Sequence, residues 1–465
     1  MRPEGLAEAV RKMTERGVDH RAITVFEDYW QQLADGAQGT ILEDSIEPLV
    51  EVPELAAIEV SDDERRAALA QVAVIKLNGG LGTSMGMSGP KAALVARDGL
   101  TFLDIIVRQL IGLEERYGSR PPLTLMNTFL TRDRSLEILE RYPQMAHQSL
   151  PLDFLQNMEP KLDAQTLAPV AWPPDPELEW CPPGHGDVYV ALASSGLLDQ
   201  MRASGIRYAF ISNSDNLGAT CDPDIAAWLI AEGIPFAAEV AERTLNDRKG
   251  GHVAVRKSDG RLILRESAMV VDEEQDLFQD TTRHQWFNTN NLWVGLDELD
   301  SLLRTRQGVL GLPIIVNRKT VDPTRPDSPA VIQIESAMGT AVESFAGSVA
   351  LRVPRSRFRP VKTTNELLLL RSDVFELDEQ SRIVSRIDHR EPRVSLDGTY
   401  KFVRDFDARF PSGVPSMREC TSLTVDGDVT FGADVRIVGD AAVSAQAPTS
   451  VPDGTRLEGR ISLPQ

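Results

Sequence analysis

The strongest candidate for chemistry is a lysine that ends a glycine-rich segment. Residues 72–91 read VAVIKLNGGLGTSMGMSGPK, so a short apolar run leads into a loop and then to Lys91. Glycine tolerates positive φ and lets backbone N–H groups approach an anion closely. Pro90 has a fixed φ and no N–H, so it sets the direction in which Lys91 projects its charge. The segment is typical of a triphosphate-binding loop, although an ordinary glycine turn is an equal alternative on this pattern alone.

The loop fits neither of the two common nucleotide-binding motifs. No GK[ST] ending follows Gly80, as a P-loop requires. No acidic residue clearly occupies the ribose position of a dinucleotide-binding fold either. Both absences weigh against a kinase, an ATPase or a dehydrogenase.

A second candidate is the basic segment of residues 353–364, which reads VPRSRFRPVKTT. Its charged residues are Arg355, Arg357, Arg359 and Lys362. A lysine ammonium in such a segment can neutralise charge on a transferred phosphoryl group, a form of stabilisation that usually dominates phosphoryl transfer. A basic loop that only contacts solvent would show the same pattern, so both interpretations stand.

Residues 180–189, WCPPGHGDVY, place His185 between two glycines and behind two prolines. A rigid turn of this kind holds an imidazole away from other side chains of its own segment. Most single histidines are structural, and that alternative stays open. Asp187 precedes an apolar stretch and is predicted to cap a helix over residues 188–198.

A carboxylate follows the buried run of residues 208–218, which reads YAFISNSDNLG. The pattern predicts a strand that ends near Asn213, and ligands of open α/β sheets lie at such strand ends. Asp215 suits Mg²⁺, which prefers one or two carboxylates together with waters and substrate phosphates. An Asx turn is the alternative.

These segments need a scaffold, and the pattern along the chain predicts one in three parts. Residues 1–70 carry apolar side chains at helical spacing. Residues 71–375 alternate buried runs with helix-like stretches, which indicates a mostly parallel sheet covered on both faces. Residues 376–465 repeat apolar positions every six residues, which indicates a short left-handed β-helix or, as the alternative, an ordinary small sheet. The helical positions are Leu6, Val10, Met13, Ile23, Phe26 and Trp30, and the repeating positions are Leu423, Val429, Val435, Ala441, Val425, Phe431, Ile437 and Val443.

The charge balance limits the classes of partner. The chain has 465 residues and a formal net charge of −20, which weighs against nucleic acid because that ligand requires a broad basic surface. Three scattered cysteines indicate neither a disulfide framework nor a zinc site. No stretch approaches the roughly 20 apolar residues that cross a bilayer. We therefore expect a cytoplasmic protein that binds neither nucleic acid nor membrane.

Together the motifs resemble those of the long-chain, eukaryotic-type UTP:glucose-1-phosphate uridylyltransferases. That family carries LNGGLGTSMG followed by GPK, then PPGHGD, SNxDN and VPRSRFxPVKTT, in the order found here. Related UDP-N-acetylhexosamine pyrophosphorylases usually place an arginine after the loop threonine, whereas this chain has Ser84 after Thr83. The resemblance spans residue 65 or so to the end. It implies an α/β, Rossmann-like (GT-A-like) nucleotidyltransferase domain with a mixed, mostly parallel sheet.

The resemblance also implies a role for each matching residue. The implied catalytic residues are Lys91, Lys362 and His185, and the implied ligand of a Mg²⁺ cofactor is Asp215. The implied nucleotide-binding residues are Leu77, Asn78, Gly79, Gly80, Gly82, Thr83, Gln156, Gly184, Asn213 and Asp215. The implied sugar-phosphate-binding residues are His185, Asn213, Asn288, Asn290, Glu335 and Lys362.

The implied reaction joins UTP and α-D-glucose 1-phosphate to give UDP-glucose and pyrophosphate, reversibly, by in-line attack of the sugar phosphate on the α-phosphorus. The second pKa of a phosphate monoester lies near 6, so this nucleophile needs no general base at neutral pH. Two alternatives remain: an enzyme for another sugar 1-phosphate, such as that of galactose or N-acetylglucosamine, and a silent scaffold subunit. The second would have lost a lysine or the metal aspartate. A homo-oligomer formed through residues 376–465 is a further hypothesis from the resemblance.

Overall fold

The computed structural model describes residues 3–37, 39–147, 149–244, 247–248 and 250–463. The α-helices of this part of the chain are α1 Glu4–Arg16, α2 His20–Ala34, α3 Asp62–Leu69, α4 Phe102–Tyr117, α5 Phe129–Leu139, α6 Val188–Ser194, α7 Leu197–Ala203, α8 Pro223–Glu232, α9 Gln275–Phe278, α10 Leu296–Thr305, α11 Thr364–Arg371 and α12 Val403–Arg409.

The strands divide between one large sheet and several small ones. The large sheet contains β1 Ile46–Pro48, β2 Val72–Asn78, β5 Leu123–Asn127, β6 Asp153–Leu155, β10 Tyr208–Asn213, β11 Phe236–Glu242, β12 His252–Arg256, β13 Leu262–Arg265, β14 Trp286–Gly295 and β17 Val349–Arg352. Small sheets join β3 Val95–Arg97 to β4 Leu100–Thr101, β7 Glu159–Pro160 to β9 Trp180–Cys181, β18 Phe375–Leu377 to β19 Ile383–Ser385, and β8 Leu162–Asp163 to β16 Ala330–Ser336 and β15 Ile314–Thr320. The last strands are β20 Arg393–Leu396, β21 Ser416–Asp426, β22 Val429–Phe431, β23 Arg436–Ala445, β24 Thr449–Val451 and β25 Arg456–Leu463.

The middle of the large sheet is parallel. β10, β2, β5 and β6 lie side by side in that order, with all three pairings parallel. Every residue of β2 is buried, as the apolar run of its sequence predicts for a strand covered on both faces. Because the strands run in one direction, their carboxyl ends lie at one edge of the sheet.

Helices cover both faces of this sheet. Val72 and Val74 of β2 lie in one hydrophobic core with residues of α4, α8 and α11. Ala73, Ile75 and Leu77 point to the opposite face, into a core shared with α1, α2, α6 and α10. The alternation of strand side chains therefore places one core on each face, as expected from the sequence.

The sheet is mixed, as the resemblance implies, but the prediction that it is mostly parallel is wrong. β14 pairs antiparallel with β10, β11 and β12, and β12 also pairs antiparallel with β1 and β13. Parallel pairing returns only where β11 meets β17. Apolar composition marks a strand as buried, but its direction depends on how the connecting segment crosses the sheet. Parallel strands still form the half that carries the candidate site.

The first two helices pack against one of the two hydrophobic cores of the large sheet. Leu6, Met13, Phe26 and Trp30 are buried, while the other two predicted stripe positions are half-buried. The Trp30 indole Nε1 donates to the carbonyl of Leu167 at 3.0 Å, which ties α2 to the sheet. Among the described residues, no helix has the length and apolar character needed to cross a membrane.

The C-terminal segment forms stacked parallel strands. β20, β21, β23 and β25 pair parallel in that order, and β22 pairs parallel with β24. In the register, Leu423 faces Ala441 and Val425 faces Val443. All eight residues of the predicted six-residue repeat are buried. The parallel strands bury the six-residue repeat, and the core they form is continuous with that around α11.

Candidate active site

A buried amide network joins the carboxyl ends of β2, β5 and β10. Asn78 Nδ2 donates to Asn127 Oδ1 at 2.8 Å and to Ser135 Oγ at 2.7 Å. Ser214 Oγ donates to Asn78 Oδ1 at 3.2 Å. All four side chains are buried. The Asn78 side chain is thus part of the scaffold, which leaves the backbone of this predicted nucleotide-binding residue to contact a ligand.

The glycine loop leaves β2 beside the end of β10, where Leu77 and the half-buried Asn213 are register partners. Lys91 N donates to the carbonyl of Gly80 at 2.9 Å and closes the loop. Gly82 and Gly86 have φ of 61° and 74°, which other residues adopt only with strain. Two positive-φ glycines therefore fix the turn that carries Thr83.

The open face of the loop lies at Gly80. A Cβ built on Gly80 meets no atom within 4 Å, whereas one on Gly79 lies 3.3 Å from Thr128 and 3.4 Å from Gln156. The backbone amides of Gly80, Leu81 and Gly82 donate no hydrogen bond to any described residue. Successive free amides of this kind form an anion-binding nest.

The two predicted catalytic lysines converge on the predicted metal ligand. Lys91 Nζ lies 2.8 Å and Lys362 Nζ 3.1 Å from the same oxygen, Asp215 Oδ2. The other oxygen, Oδ1, is buried and has no hydrogen-bond partner among the described residues. The Lys91 side chain is 12% exposed and that of Lys362 is 60% exposed. Asp215 is therefore held on one side by two cations and has a free acceptor on the other.

The main chain brings Lys362 to this position. Val361 N donates to the carbonyl of Asp215 at 3.1 Å, and Pro360 forms an isolated antiparallel bridge with Asn216. Lys362 comes next, immediately before Thr363, the residue that caps α11 through its side chain. The segment thus runs from a strand-like pairing with the loop that carries Asp215 directly into a helix.

The arginines of the basic segment are all ion-paired. Arg355 makes two 2.7 Å hydrogen bonds to Asp247, and Arg359 lies 2.9 Å from Glu391. Arg357 is buried and donates from Nε to Glu239 Oε2 at 2.7 Å and from Nη2 to Oε1 at 2.5 Å. The alternative of a basic loop that only contacts solvent is therefore wrong.

His185 is half-buried, and its protonation state follows from one contact. Met338 N donates to His185 Nδ1 at 2.9 Å, so the ring hydrogen is on Nε2. Burial and, second, the nearby Lys362 ammonium lower the pKa of His185 to about 4. At neutral pH the ring is uncharged and Nε2–H is a hydrogen-bond donor.

The prediction that Asp187 caps α6 is wrong. Its φ and ψ of −60° and −15° are already helical, and its side chain makes no capping hydrogen bond. Instead it accepts from Asn157 N at 2.7 Å and from Asn157 Nδ2 at 2.8 Å. A cap requires an extended backbone before the first helical residue, and the short turn at His185 removes it. Burial raises the pKa of Asp187 to about 6.

Gly184 and Gln156 lie together, as the sequence predicts. Gly184 has a φ of 78°, and a Cβ there would lie 2.6 Å from the carbonyl oxygen of Ser336. Gln156 Nε2 donates to the carbonyl of Gly184 at 2.7 Å. The glutamine therefore spans the gap between the glycine loop, at Gly79, and the histidine turn.

Of the predicted sugar-phosphate-binding residues, Asn288 and Asn290 hydrogen-bond each other, and Glu335 lies beside the histidine turn. Asn288 Nδ2 donates to Asn290 Oδ1 at 2.8 Å, and Asn290 N donates to Asn288 Oδ1 at 3.1 Å. Asn290 has a φ of 57° inside β14, a strained conformation that clusters at functional sites. The β-carbon of Glu335 lies 3.0 Å from a Cβ built on Gly184, and Glu335 Oε1 is 3.8 Å from Lys319 Nζ.

A divalent cation fits the donor set at Asp215. No group of three or more His, Cys, Asp or Glu side chains suited to a metal occurs in the described part of the chain. Mg²⁺ does not need one, since it is often bound by one or two carboxylates with waters and substrate phosphates. The unpartnered Asp215 Oδ1 supplies such a carboxylate oxygen.

Sequence reasoning missed three uncharged residues that hold the site together and one nearby cation. Asn127 and Ser214 hydrogen-bond Asn78 at the end of β2, Asn216 accepts from Arg359 N, and Lys319 lies beside Glu335. Ser214 and Asn216 lie on either side of the aspartate in the SNSDN motif, so the motif itself contains the signal for both. Lys319 lies on β15 with no motif around it.

Comparison with known proteins identifies the family. A profile of the UTP–glucose-1-phosphate uridylyltransferase family matches residues 23–438. The chain belongs to this family. It is 37% identical to the UTP–glucose-1-phosphate uridylyltransferase of Hordeum vulgare, over 98% of this chain and 96% of that protein. It is 39% identical to the one from Solanum tuberosum, over 89% and 86% of the two chains.

Solved structures agree with the family assignment. The structure described as UDP-glucose phosphorylase from Trypanosoma brucei superposes with a TM-score of 0.90 at 40% identity, covering 99% of this chain and 100% of the other. A variant of UDP-glucose pyrophosphorylase from Leishmania major in complex with UDP-glucose gives 0.93 at 37% identity, with both chains fully covered. The mixed α/β fold with its large sheet is that of these uridylyltransferases.

Proposed function

We propose that the protein catalyses the reversible reaction of UTP with α-D-glucose 1-phosphate to give UDP-glucose and pyrophosphate. The observation that carries this proposal is the meeting of Lys91, Lys362 and Asp215 at the open side of the glycine loop. The matching family and its relatives are named for this activity. The lysines and the aspartate are all present, which argues against a silent scaffold subunit.

The residues act by positioning two anions that repel each other. Free amides at Gly80 and Gly82, together with Lys91, bind the phosphates of UTP. Lys362 neutralises charge at the α-phosphoryl group or on the sugar phosphate that attacks it. His185, neutral with hydrogen on Nε2, donates to a phosphate oxygen and takes no proton from the nucleophile. The dianionic sugar phosphate requires no general base.

Mg²⁺ is the proposed cofactor, and Asp215 Oδ1 is its proposed protein ligand. When bound there, the ion supplies positive charge to the UTP phosphates in an arrangement that needs few protein oxygens. Lys91 and Lys362 bind Oδ2, which leaves Oδ1 without a hydrogen-bond partner among the described residues as the proposed ligand atom.

The sugar is recognised beside the histidine turn. We assign hydrogen bonds with the glucose hydroxyls to Asn288, Asn290 and Glu335, whose amides and carboxylate supply both donors and acceptors. The strained backbone of Asn290 supports a functional role for this part of β14. An enzyme with broader or different sugar specificity remains the second candidate, because these three side chains could also contact galactose or N-acetylglucosamine.

Several finer features belong to the same proposal. The sheet is assigned as Rossmann-like and GT-A-like, and the C-terminal coils as left-handed. The proposed domains are 1–70, 71–375 and 376–465, the proposed location is the cytoplasm, and a homo-oligomer through the last domain is a hypothesis. A sedimentation mass of one chain at working concentration would refute that oligomer.

One assay tests the proposed activity. Pyrophosphate release from UTP is measured with glucose, galactose and N-acetylglucosamine 1-phosphates, each with and without Mg²⁺. We expect turnover with glucose 1-phosphate that requires the metal. The Lys362→Ala variant, purified in parallel, controls for contaminating activity. Turnover with none of the sugars would end the assignment, and preference for another sugar would favour the second candidate.

A further inference from the structure

Asn216, the residue after the proposed metal ligand, contacts three separate elements. Its Oδ1 accepts from Gly218 N at 3.1 Å and from Arg359 N at 2.8 Å. Its Nδ2 donates to the carbonyl of Arg357 at 3.1 Å and to Asn291 Oδ1 on β14 at 3.3 Å. The side chain is 2% exposed, so water cannot replace these partners. The amide uses both of its donors and both of its acceptor positions.

Two of these contacts bind the main chain on the N-terminal side of Lys362. The carbonyl of Arg357 and the N–H of Arg359 bind the two ends of the same amide, and Val361 N then binds the carbonyl of Asp215. The segment is therefore fastened at alternate residues to the loop that carries Asp215. Lys362 extends from the last fastened point with a largely exposed side chain.

The side chain of Arg357 fixes the other side of this segment. Its guanidinium pairs with the fully buried Glu239, which also accepts from Trp293 Nε1 at 2.9 Å and from Asn291 Nδ2 at 3.0 Å. That ion pair anchors the segment to the sheet. The same guanidinium donates to Thr220 and Asp222, farther along the loop that carries Asp215, and Asn291 Nδ2 also donates to the carbonyl of Arg357 at 3.2 Å. Asn216 is the residue next to Asp215, and its side chain binds both the carbonyl of Arg357 and the N–H of Arg359.

We propose that Asn216 is a positioning residue that sets the distance between the Lys362 ammonium and Asp215, and through it the alignment of Lys362 with the reacting phosphates. This role rests on the proposed function, since it concerns the lysine assigned to the transferred group. The amide acts as a fixed spacer. Its oxygen accepts from the N–H of Arg359 and its nitrogen donates to the carbonyl of Arg357. A carboxylate cannot donate, and a hydroxyl donates and accepts through a single atom, so neither reproduces this pattern.

The first test is a double-mutant cycle between Asn216 and Lys362. Asn216→Ala alone is expected to lower kcat by about 100-fold, the scale on which a displacement of about 1 Å acts. KM for UTP should stay within about threefold, because the glycine loop and Lys91 are unchanged. In a Lys362→Ala background, Asn216→Ala should lower the residual kcat by less than about threefold, because residues acting as a unit are not additive. Equal losses in both backgrounds would overturn the proposal.

A matched control removes buried hydrogen bonds at the far end of β10, the strand that precedes Asn216. Tyr208, at the start of β10, donates from its hydroxyl to the carbonyls of Leu229 and Ile234. Tyr208→Phe deletes these contacts far from the site and should leave kcat unchanged. If Tyr208→Phe slowed turnover as much as Asn216→Ala, general loosening of the strand would explain both effects, and the positioning role would be rejected.

The second test needs no turnover. Acetic anhydride labelling, read out by peptide mass, reports how freely each lysine amine reacts. Asn216→Ala should raise the labelling rate of Lys362 several-fold while buried Lys76 and Lys161 stay protected. Unchanged labelling of Lys362 in the folded variant contradicts the proposal. Absent activity in the wild type would remove the proposed function but leave this measurement decisive for Asn216.

A second variant covers a failure of Asn216→Ala to fold, which labelling of Lys76 would reveal. Asn216→Asp keeps the side-chain volume and both accepted hydrogen bonds, and it loses both donations, to the carbonyl of Arg357 and to Asn291 Oδ1. It should raise Lys362 labelling and lower kcat in the same direction. A folded Asn216→Asp protein with normal kcat and normal Lys362 labelling would disprove the role.

Discussion

Lys91 and Lys362 donate to the same oxygen of Asp215, although they come from distant parts of the chain. Two ammonium groups this close to one another repel, and the shared carboxylate offsets that repulsion. An incoming triphosphate supplies further negative charge, so either lysine can move from Asp215 to phosphate oxygens without being left unpaired. The resting ion pairs thus hold the cations where the phosphates will lie.

The first prediction concerns Lys362. We expect Lys362→Ala to reduce turnover by at least about 100-fold while the fold survives, because charge stabilisation of the transferred group is lost. The side chain is 60% exposed and anchors no core, so the melting temperature should hardly change. Steady-state rates and thermal melting measure the two effects.

Lys257→Ala is the matched control for Lys362→Ala. Lys257 is an exposed lysine whose ammonium contacts only the carbonyl of Asp44. It should keep full activity. Near-normal turnover of Lys362→Ala, measured beside this control, would remove the lysine from the mechanism.

The charged and glycine residues that the sequence patterns single out lie close together in the structure. The turn at Gly82 and the strand ends at Asn78 and Asn213 follow from backbone preference and apolar runs, which are local properties. Burial of the eight repeating positions near the C-terminus was likewise readable from the six-residue period.

The remaining features depend on contacts between distant segments. His185 Nδ1 is an acceptor because Met338 N donates to it, and Asp187 binds Asn157 instead of capping a helix. Neither partner is visible in the local pattern around the histidine. The antiparallel direction of β14 is of the same kind, since composition marks a buried strand without giving its direction. These features follow from the assembled sheet.

A second prediction follows from the two sides of the Asp215 carboxylate. Asp215→Asn should abolish metal-dependent turnover, because the Oδ1 ligand of the ion is weakened and the negative charge is gone. Metal-free UTP should bind the variant at least as tightly as wild type, since Lys91 and Lys362 lose their competing anion. Calorimetric titration with UTP in EDTA measures this affinity.

Asp199→Asn controls for the loss of a surface charge, because Asp199 is 73% exposed on α7. Its rates and UTP affinity should match wild type. Weaker metal-free UTP binding by Asp215→Asn would contradict the idea that the carboxylate competes with phosphate for the lysines.

The third prediction uses the open face of the glycine loop. A methyl group at Gly80 meets no protein atom within 4 Å and its φ is not positive, so Gly80→Ala should fold normally. The same methyl group would occupy the space in which phosphate approaches the free amides. We expect KM for UTP to rise about tenfold or more with the melting temperature unchanged.

Gly89→Ala is the control, since it also adds a methyl group in open space in the same segment. It should change neither KM nor melting temperature. Gly184→Ala is the opposite case, because φ is 78° and the methyl group would lie 2.6 Å from the Ser336 carbonyl, so loss of stability is expected. An unchanged KM in Gly80→Ala would place the triphosphate away from this loop.

The fourth prediction concerns pH and His185. The pKa is about 4 in the folded protein, below the ordinary value of 6.5. Between these values the unfolded chain binds a proton that the folded chain does not, so stability rises with pH across this window and is lost as pH falls from 6.5 toward 4. A pKa difference of this size corresponds to about 3 kcal/mol in the free energy of unfolding, and partial exposure of the ring reduces that contribution.

His185→Asn places an amide oxygen where Nδ1 accepts from Met338 N, and it removes the titrating ring. The fall in melting temperature between pH 7 and pH 5 should therefore be smaller in this variant than in wild type, while the exposed His20→Asn should behave as wild type does. The acid limb of kcat/KM should stay near pH 6 in every variant, because the sugar phosphate titrates there. An acid limb that disappears in His185→Asn would mean that protonation of the histidine, and not of the substrate, causes the loss of kcat/KM at low pH.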